Sequence, residues 1–139
     1  MTNPDALGAI FDRLAGLEAL VDELAEYSDL PAIFTGARVP GDAPYPYVHV
    51  QPVAGVNDDT KTSRRPELFF DVGVYADDPE TSVTVERLAW AIHEEFHRRP
   101  LALGAFQNVV AEASPPIVAP TSDEITGRII SLRLVLSSV

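Results

Sequence analysis

The chain contains no cysteine, few basic residues and no long apolar run, and each absence excludes a class of protein. Without cysteine, disulfide bonds and thiolate metal sites are excluded, and nothing indicates an oxidising compartment. No segment reaches the roughly 18 consecutive apolar residues that a membrane helix requires. The N-terminal segment MTNPDALGAIFDRL has no basic region ahead of an apolar stretch. We therefore predict no signal peptide and no membrane partner, and we expect folding in a cytoplasm.

Basic residues are outnumbered, with 10 Lys and Arg against 21 Asp and Glu, which gives a formal net charge of −11. Such a surface repels nucleic-acid phosphate, because sequence-independent affinity comes from basic side chains that displace counterions. The basic clusters are Lys61 with Arg64 and Arg65, and Arg98 with Arg99. Each is too small for a DNA footprint. Tight DNA binding is not expected, whereas a protein past which DNA slides without sticking is compatible with this charge.

The length of 139 residues predicts one domain spanning 1–139, and 46% hydrophobic with 22% charged residues is typical of a globular protein. Apolar residues recur every three or four positions from Leu7 to Leu24, which predicts an N-terminal helix ending before Ser28-Asp29, with Gly16 as its weak point. Residues 31–46 form a proline-rich connection in which we expect Ile33 and Phe34 to turn inwards.

Four strands and a second helix are predicted in the remaining chain. Alternating residues predict strands at 47–53 and 67–75, joined by a long polar loop at 54–66. A helix opens at Asp78-Pro79-Glu80 and stops at Pro100. Strands at 106–113 and 128–136 close the chain around a proline-rich connection. The order α-β-β-α-β-β predicts an α+β fold, with two helices packed on a mostly antiparallel four-stranded sheet.

The segment HEEFH, residues 93–97, matches the H-E-x-x-H pattern of zinc proteases. His93 and His97 are about one helical turn apart, so both imidazoles can face one ion. Glu94 would then be the general base for a metal-bound water. The third ligand that a catalytic zinc requires could be Glu112 or His49.

Several features argue against this zinc interpretation. The glycine and third histidine of the longer motif are absent after residue 97. At about 100° per residue, His93 and His97 lie beside the apolar face, on a flank shared with Glu86 and Trp90. Neither Asp58-Asp59 nor the pair at 77–78 has the D-x-D-x-D spacing of a calcium loop, and no G-x-S-x-G or phosphate-binding glycine loop occurs. We therefore predict no catalytic, cofactor-binding or metal-binding residue.

The layout of the chain resembles a known family. The resemblance rests on LEALVDELAEYSDLPAIFTGARVPGDAP at 17–44, PYPYVHVQPV at 44–53, ELFFDVGVYADD at 67–78 and ERLAWAIHEEF at 86–96, in that order. This order resembles the tail completion, or tail terminator, proteins of long-tailed phages and gene transfer agents, although HEEFH itself is not part of the likeness. The resemblance covers nearly the whole chain and implies a structural virion protein without enzymatic activity or cofactors.

Such proteins form a homo-oligomeric ring, commonly a hexamer, that caps the tail tube, stops its polymerisation and joins the head-tail connector protein. By this resemblance the chain is a virion protein of the tail or neck, assembled in the host cytoplasm, whose partners are itself, the tube protein and the connector. DNA would pass through the channel without specific binding, because six copies place roughly −66 of formal charge around it.

The candidate contact with a neighbouring subunit or with the tube is the polar loop, with Asp58, Asp59, Lys61, Arg64 and Arg65. An unpaired sheet edge, such as the strand at 47–53, is expected to pair across subunits. Two alternatives stay open: a small zinc-dependent hydrolase that uses residues 93–97, and a head-completion or adaptor protein of the phage neck.

Overall fold

The structure, a computed structural model, describes residues 6–35, 38–57, 66–77, 82–103, 106–121 and 124–138. Its helices are α1 (Ala6–Ala15), α2 (Glu18–Val21) and α3 (Ser82–Phe96). Among the described helices the longest is α3, with 15 residues, and none has the length and apolar character that a membrane crossing needs.

The described residues also form nine strands. The long strands are β4 (Tyr47–Asn57), β5 (Pro66–Ala76), β7 (Phe106–Ala113) and β9 (Thr126–Ser138). The short strands are β1 (Glu26–Tyr27), β2 (Leu30–Pro31), β3 (Ile33–Thr35), β6 (Ala102–Leu103) and β8 (Ile117–Val118). The four long strands and α3 correspond to the predicted elements. In each of them apolar residues recur with the period of a strand or a helix and so form one buried face.

In the described residues, seven strands form the main sheet, on which the helices pack. Its order is β3-β4-β5-β9-β7-β6, with β8 beside β9, while β1 and β2 form a separate hairpin. The helices pack on one face of this sheet, here called the helix face. Inward side chains of β4, β5 and β9 meet those of the helices in a core of fully buried residues that includes Val48, Val50, Val72, Ile10, Leu14, Leu88, Ile92, Phe96, Ile130 and Leu132. The opposite face, here called the open face, has no helix packed on it among the described elements.

The predicted α+β class is confirmed and most strand pairings are antiparallel, as predicted, but the predicted number of four strands is wrong, and the sheet is mixed. Strand β3 lies parallel to β4, with Ile33 opposite Val48, so the sheet is mixed. Parallel neighbours need a crossover, and the proline-rich segment between Thr35 and Tyr47 provides the connection. Because β3 covers residues 48–50, the edge that was expected to pair across subunits is already occupied within the chain over those residues.

The predicted N-terminal helix is interrupted. Helix α1 ends at Ala15, and Leu17 is extended, with φ −88° and ψ 97°, before the four residues of α2. Gly16 has the lowest helix propensity apart from proline, so the break falls where the helix is weakest. The break lets Leu20 and Leu24 reach the same core as Ile10 and Leu14.

The C-terminal end of α3 is held by α1. The guanidinium of Arg13 donates hydrogen bonds to the carbonyl oxygens of Arg99 at 2.7 Å and Pro100 at 2.9 Å. It also lies 5.5 Å from the centre of the Phe96 ring. A positive charge at the negative end of a helix dipole is favourable, so this contact stabilises the end of α3 as well as its position against α1. No sequence pattern predicts this contact.

Candidate functional site

The two histidines of HEEFH stack on one another. The ring centroids of His93 and His97 lie 4.9 Å apart with an interplanar angle of 19°, and Trp90 contacts His93 edge-on at 5.1 Å. Both side chains are half-buried on the flank of α3, as predicted, whereas Glu94 is exposed. The Nδ1 atom of His93 is buried without a hydrogen-bond partner.

His97 covers the edge of strand β7. The backbone N–H of Ala113 donates to Nδ1 of His97 at 3.1 Å, and the N–H of Arg98 donates to the carbonyl oxygen of Ala111 at 2.8 Å. Arg98 reaches this position with φ 61°, the left-handed conformation in which helices commonly end. The residues just after α3 therefore satisfy backbone groups of β7 that an edge strand would otherwise present to another chain.

Among the described residues, the arrangement does not bring together the three ligands of a catalytic zinc site. His97 uses Nδ1 as an acceptor, and Glu112 contacts Arg133 at 3.4 Å on the open face. His49 alternates with the buried Val48 and Val50 and so also belongs to the open face, away from α3. Across the described ranges no three His, Cys, Asp or Glu side chains are grouped as metal ligands. The histidines are used for packing and for covering the β7 edge.

A polar ladder crosses the open face. The guanidinium of Arg133 in β9 forms ion pairs with Glu67 in β5 and with Glu112 in β7. Next to it, the Ser131 hydroxyl donates to Asp71 at 3.1 Å. The hydrogen bond that Arg133 donates to Glu67 raises the pKa of Arg133. These contacts join three neighbouring strands and leave the face polar and wettable.

The other end of the open face is aromatic. Tyr27, Phe34, Tyr47 and Tyr75 form a continuous row in which Tyr45 also contacts Tyr47; these five rings, here called the aromatic row, have contacting ring centroids 5.1 to 5.7 Å apart. It contains all four tyrosines of the chain. Burial raises the pKa of Tyr47 to about 12 and also raises that of Tyr75.

Two glycines make room for the last ring of this row. A Cβ on Gly73 would lie 2.6 Å from the Tyr75 ring, and one on Gly127 would lie 2.7 Å from it. Tyr75 therefore lies flat across β5 and β9, where any larger residue would displace it.

The predicted interface residues Asp58, Asp59, Lys61, Arg64 and Arg65 lie outside the described residues. The structure shows that β4 and β5 remain paired up to Asn57 and Pro66, immediately on either side of that segment. The segment thus connects the ends of an antiparallel hairpin and begins later than the predicted loop at 54–66.

Helix α3 has an exposed surface that was not predicted from the sequence. Val83 and Trp90 are 77% and 43% exposed, and they share one side of the helix with Arg87. The helical period already separated these positions from the apolar face centred on Val85 and Ile92. An exposed tryptophan on that side was the signal that could have identified the surface.

The comparisons with known proteins were made against family sequence models, curated proteins and solved structures. Residues 18–114, from the start of α2 to just past β7, match the family described as "Tail completion protein gp17". No curated protein gives a significant match.

Two solved chains share the fold. One, from a structure described as the virion of a native gene transfer agent particle, is 19% identical with a TM-score of 0.74. The match covers 96% of this chain and 95% of that one. A second is 17% identical with a TM-score of 0.60, covering 94% and 92%. At these identities the likenesses show the fold alone.

Proposed function

Because the chain belongs to the tail completion protein family, we propose that it forms a homo-oligomeric ring that caps the phage tail tube. The ring stops tube polymerisation and presents the surface that the head-tail connector binds. The observation that carries this proposal is the family match from α2 to the end of β7. The likeness over nearly the full length to a chain in a gene transfer agent virion supports it.

The charge of the protein suits this position. Six copies of a chain with net charge −11 place roughly −66 around a channel through which DNA passes, and like charge prevents DNA from sticking to the wall. The role requires positioned surfaces rather than catalysis. We therefore propose a structural protein of the virion tail, without an enzymatic step.

The segment 58–65 is proposed to contact the tube or the neighbouring subunit, through Asp58, Asp59, Lys61, Arg64 and Arg65. Its cations are notable in a chain with an excess of acids, because they can pair with acidic groups on another subunit. Arg64→Glu should weaken capping. Arg38→Glu, which makes the same charge change at an exposed position outside that segment, is the matched control.

The decisive experiment adds the purified protein to tail tube protein during polymerisation and measures tube lengths by electron microscopy. We expect shorter, uniformly capped tubes and, by native mass spectrometry, a ring mass of about 91 kDa if six copies of the 15.1 kDa chain assemble. Tubes that lengthen unchecked, with no density added at their ends, would refute the proposal. Length control with a different ring mass would correct only the stoichiometry.

A further inference from the structure

The outer side of α3 carries an apolar surface with no partner among the described residues, here called the Trp90 patch. It consists of Val83, Trp90 and Val118 around the ion pair of Glu86 with Arg128. Val118 is 72% exposed and lies opposite Arg128 in the pairing of β8 with β9. A shallow groove of about 460 Å³ runs between Val83, Trp90 and the two arginines Arg87 and Arg128.

This patch is held rigidly. The indole N–H of Trp90 donates to Glu86 at 3.2 Å, and the same carboxylate binds Arg128 on the sheet. The Trp90 ring is thus fixed in orientation although nearly half of it is exposed. Tryptophan and arginine in a preformed pocket are the residue types that dominate the energetics of protein interfaces.

The same chain carries a projection of complementary chemistry, here called the knob: Glu26, Asp29 and Leu30 of the β1–β2 hairpin. Leu30 is 63% exposed, and both acids are exposed beside it. The turn is tight, with positive φ of 53° at Ser28 and 66° at Asp29, which is the geometry of a two-residue hairpin turn. Tyr27 fixes the hairpin, through its ring contact with Phe34 and a hydrogen bond to Asp42.

The charge of the groove favours a second copy of this chain as the partner of the Trp90 patch. The groove is lined by two arginines, of which Arg128 is paired with Glu86 and Arg87 forms an exposed ion pair with Glu23, so it carries no excess of negative charge in a protein whose net charge is −11. Residues 18–30, which include the knob, contain five acidic residues and no basic one. The Trp90 patch is therefore a place where an acidic copy of the same chain can approach without repulsion, and the knob offers both an apolar side chain and matching carboxylates.

The knob and the patch are distinct surfaces of the subunit, although Glu23, three residues before Glu26 of the knob, forms an ion pair with Arg87 beside the patch. The hairpin adjoins edge strand β3, and Tyr27 contacts the aromatic row on the open face. The patch lies on the helix face, against β9 and β8, three strands further along the sheet. A contact between the knob of one copy and the patch of the next is therefore head-to-tail, the type of contact from which rings are built.

We propose that the knob of each subunit docks into the Trp90 patch of its neighbour, with Leu30 against Val83 and Trp90 and with Asp29 facing Arg87. This inference rests on the proposed ring and assigns its subunit contact.

Cysteine crosslinking tests the contact, since the natural chain has no cysteine. The full-length double variant Leu30→Cys/Val83→Cys is oxidised, in the ring formed by the protein alone or on tail tubes. We expect covalent oligomers in steps of 15.1 kDa. Val53→Cys/Val83→Cys is the matched control, because Val53 is also an exposed valine but lies outside the knob. It should remain monomeric on a denaturing gel.

Charge exchange provides an independent measurement. Asp29→Arg and Arg87→Glu should each weaken assembly by about tenfold or more, because like charges then meet. The double variant Asp29→Arg/Arg87→Glu should recover most of the lost assembly. All three variants should keep the Tm of the natural protein, apart from the small effect of losing the exposed Arg87–Glu23 pair.

The outcomes separate the two proposals. If rings form but the crosslinks match the control and the charge exchange gives no recovery, the knob contact is wrong and the ring proposal stands. If the patch variants abolish capping while subunit mass is unchanged, the patch binds the tube or the connector instead. If no ring forms alone or on tubes, the proposed function fails and the contact falls with it.

Discussion

Replacing His97 separates the two interpretations of HEEFH most directly. In the structure Nδ1 of His97 accepts the hydrogen bond of the Ala113 N–H, and Ala113 is almost fully buried. His97→Ala leaves that N–H without a partner, which costs about 1–3 kcal/mol. For a chain of this length such a loss lowers Tm by roughly 3–10 °C.

Two further variants at the same position make the test specific. The side-chain oxygen of asparagine is as far from Cβ, in bonds, as Nδ1 of histidine, so His97→Asn can keep the acceptor. Glutamine places its oxygen one bond further out, so His97→Gln should lose it. We therefore expect Tm to fall for Ala and Gln and to be largely retained for Asn, as measured by calorimetry in chelator.

A zinc site predicts a different pattern. All three variants would remove a ligand and fall together, and chelator would lower the Tm of the natural protein while added zinc restored it. That result would refute the edge-covering role and return the hydrolase to consideration, with Glu94→Gln as the next variant to assay.

Three further predictions concern stability. His93→Leu should leave Tm unchanged or raise it in thermal unfolding, because it removes a buried Nδ1 atom that has no hydrogen-bond partner. Gly73→Ala should lower the free energy of unfolding by about 1–3 kcal/mol, since its methyl group would overlap the Tyr75 ring. Gly41→Ala, where nothing lies within 4 Å, is the control in the same denaturation series. Burial raises the pKa of Tyr47 from 10.0 to about 12, so the stability that its neutral form contributes is fully present below about pH 10 and declines as pH rises towards 12. Because the pKa of Tyr75 is raised as well, Tyr47→Phe should reduce the late-titrating part of the tyrosinate absorbance without abolishing it.

The long elements were predictable because each has one buried face. In β9, Ile130, Leu132 and Leu134 alternate towards the helices, and this alternation predicted the strand to within two residues at each end. The short strands could not be predicted from the sequence. Strands β3, β6 and β8 have two or three residues, too few to show any period, and the parallel pairing of β3 depends on where a proline-rich connection leads.

The candidate site was less predictable, because its contacts join residues that are distant in sequence. The bond between His97 and Ala113 spans 16 positions, and the Tyr75 ring lies over glycines in two strands. Local patterns place a histidine on a helix flank but do not show which backbone group it meets. For the same reason the short HEEFH motif was ambiguous until α3 and β7 were seen together.

The covered edges of the sheet bear on how the proposed ring would stop elongation of the tail tube. An exposed strand edge accepts another strand and then another, which is the usual route to open-ended assembly. Here His97 and Arg98 bind the C-terminal end of the β7 edge, β6 pairs with its beginning, and β3 covers part of β4. In the proposed ring, subunit contacts would thereby be directed to side-chain surfaces. The proposed contact of a rigid knob with a rigid patch would fix the rotation between neighbours, and the value of that rotation decides whether a ring closes or a filament extends.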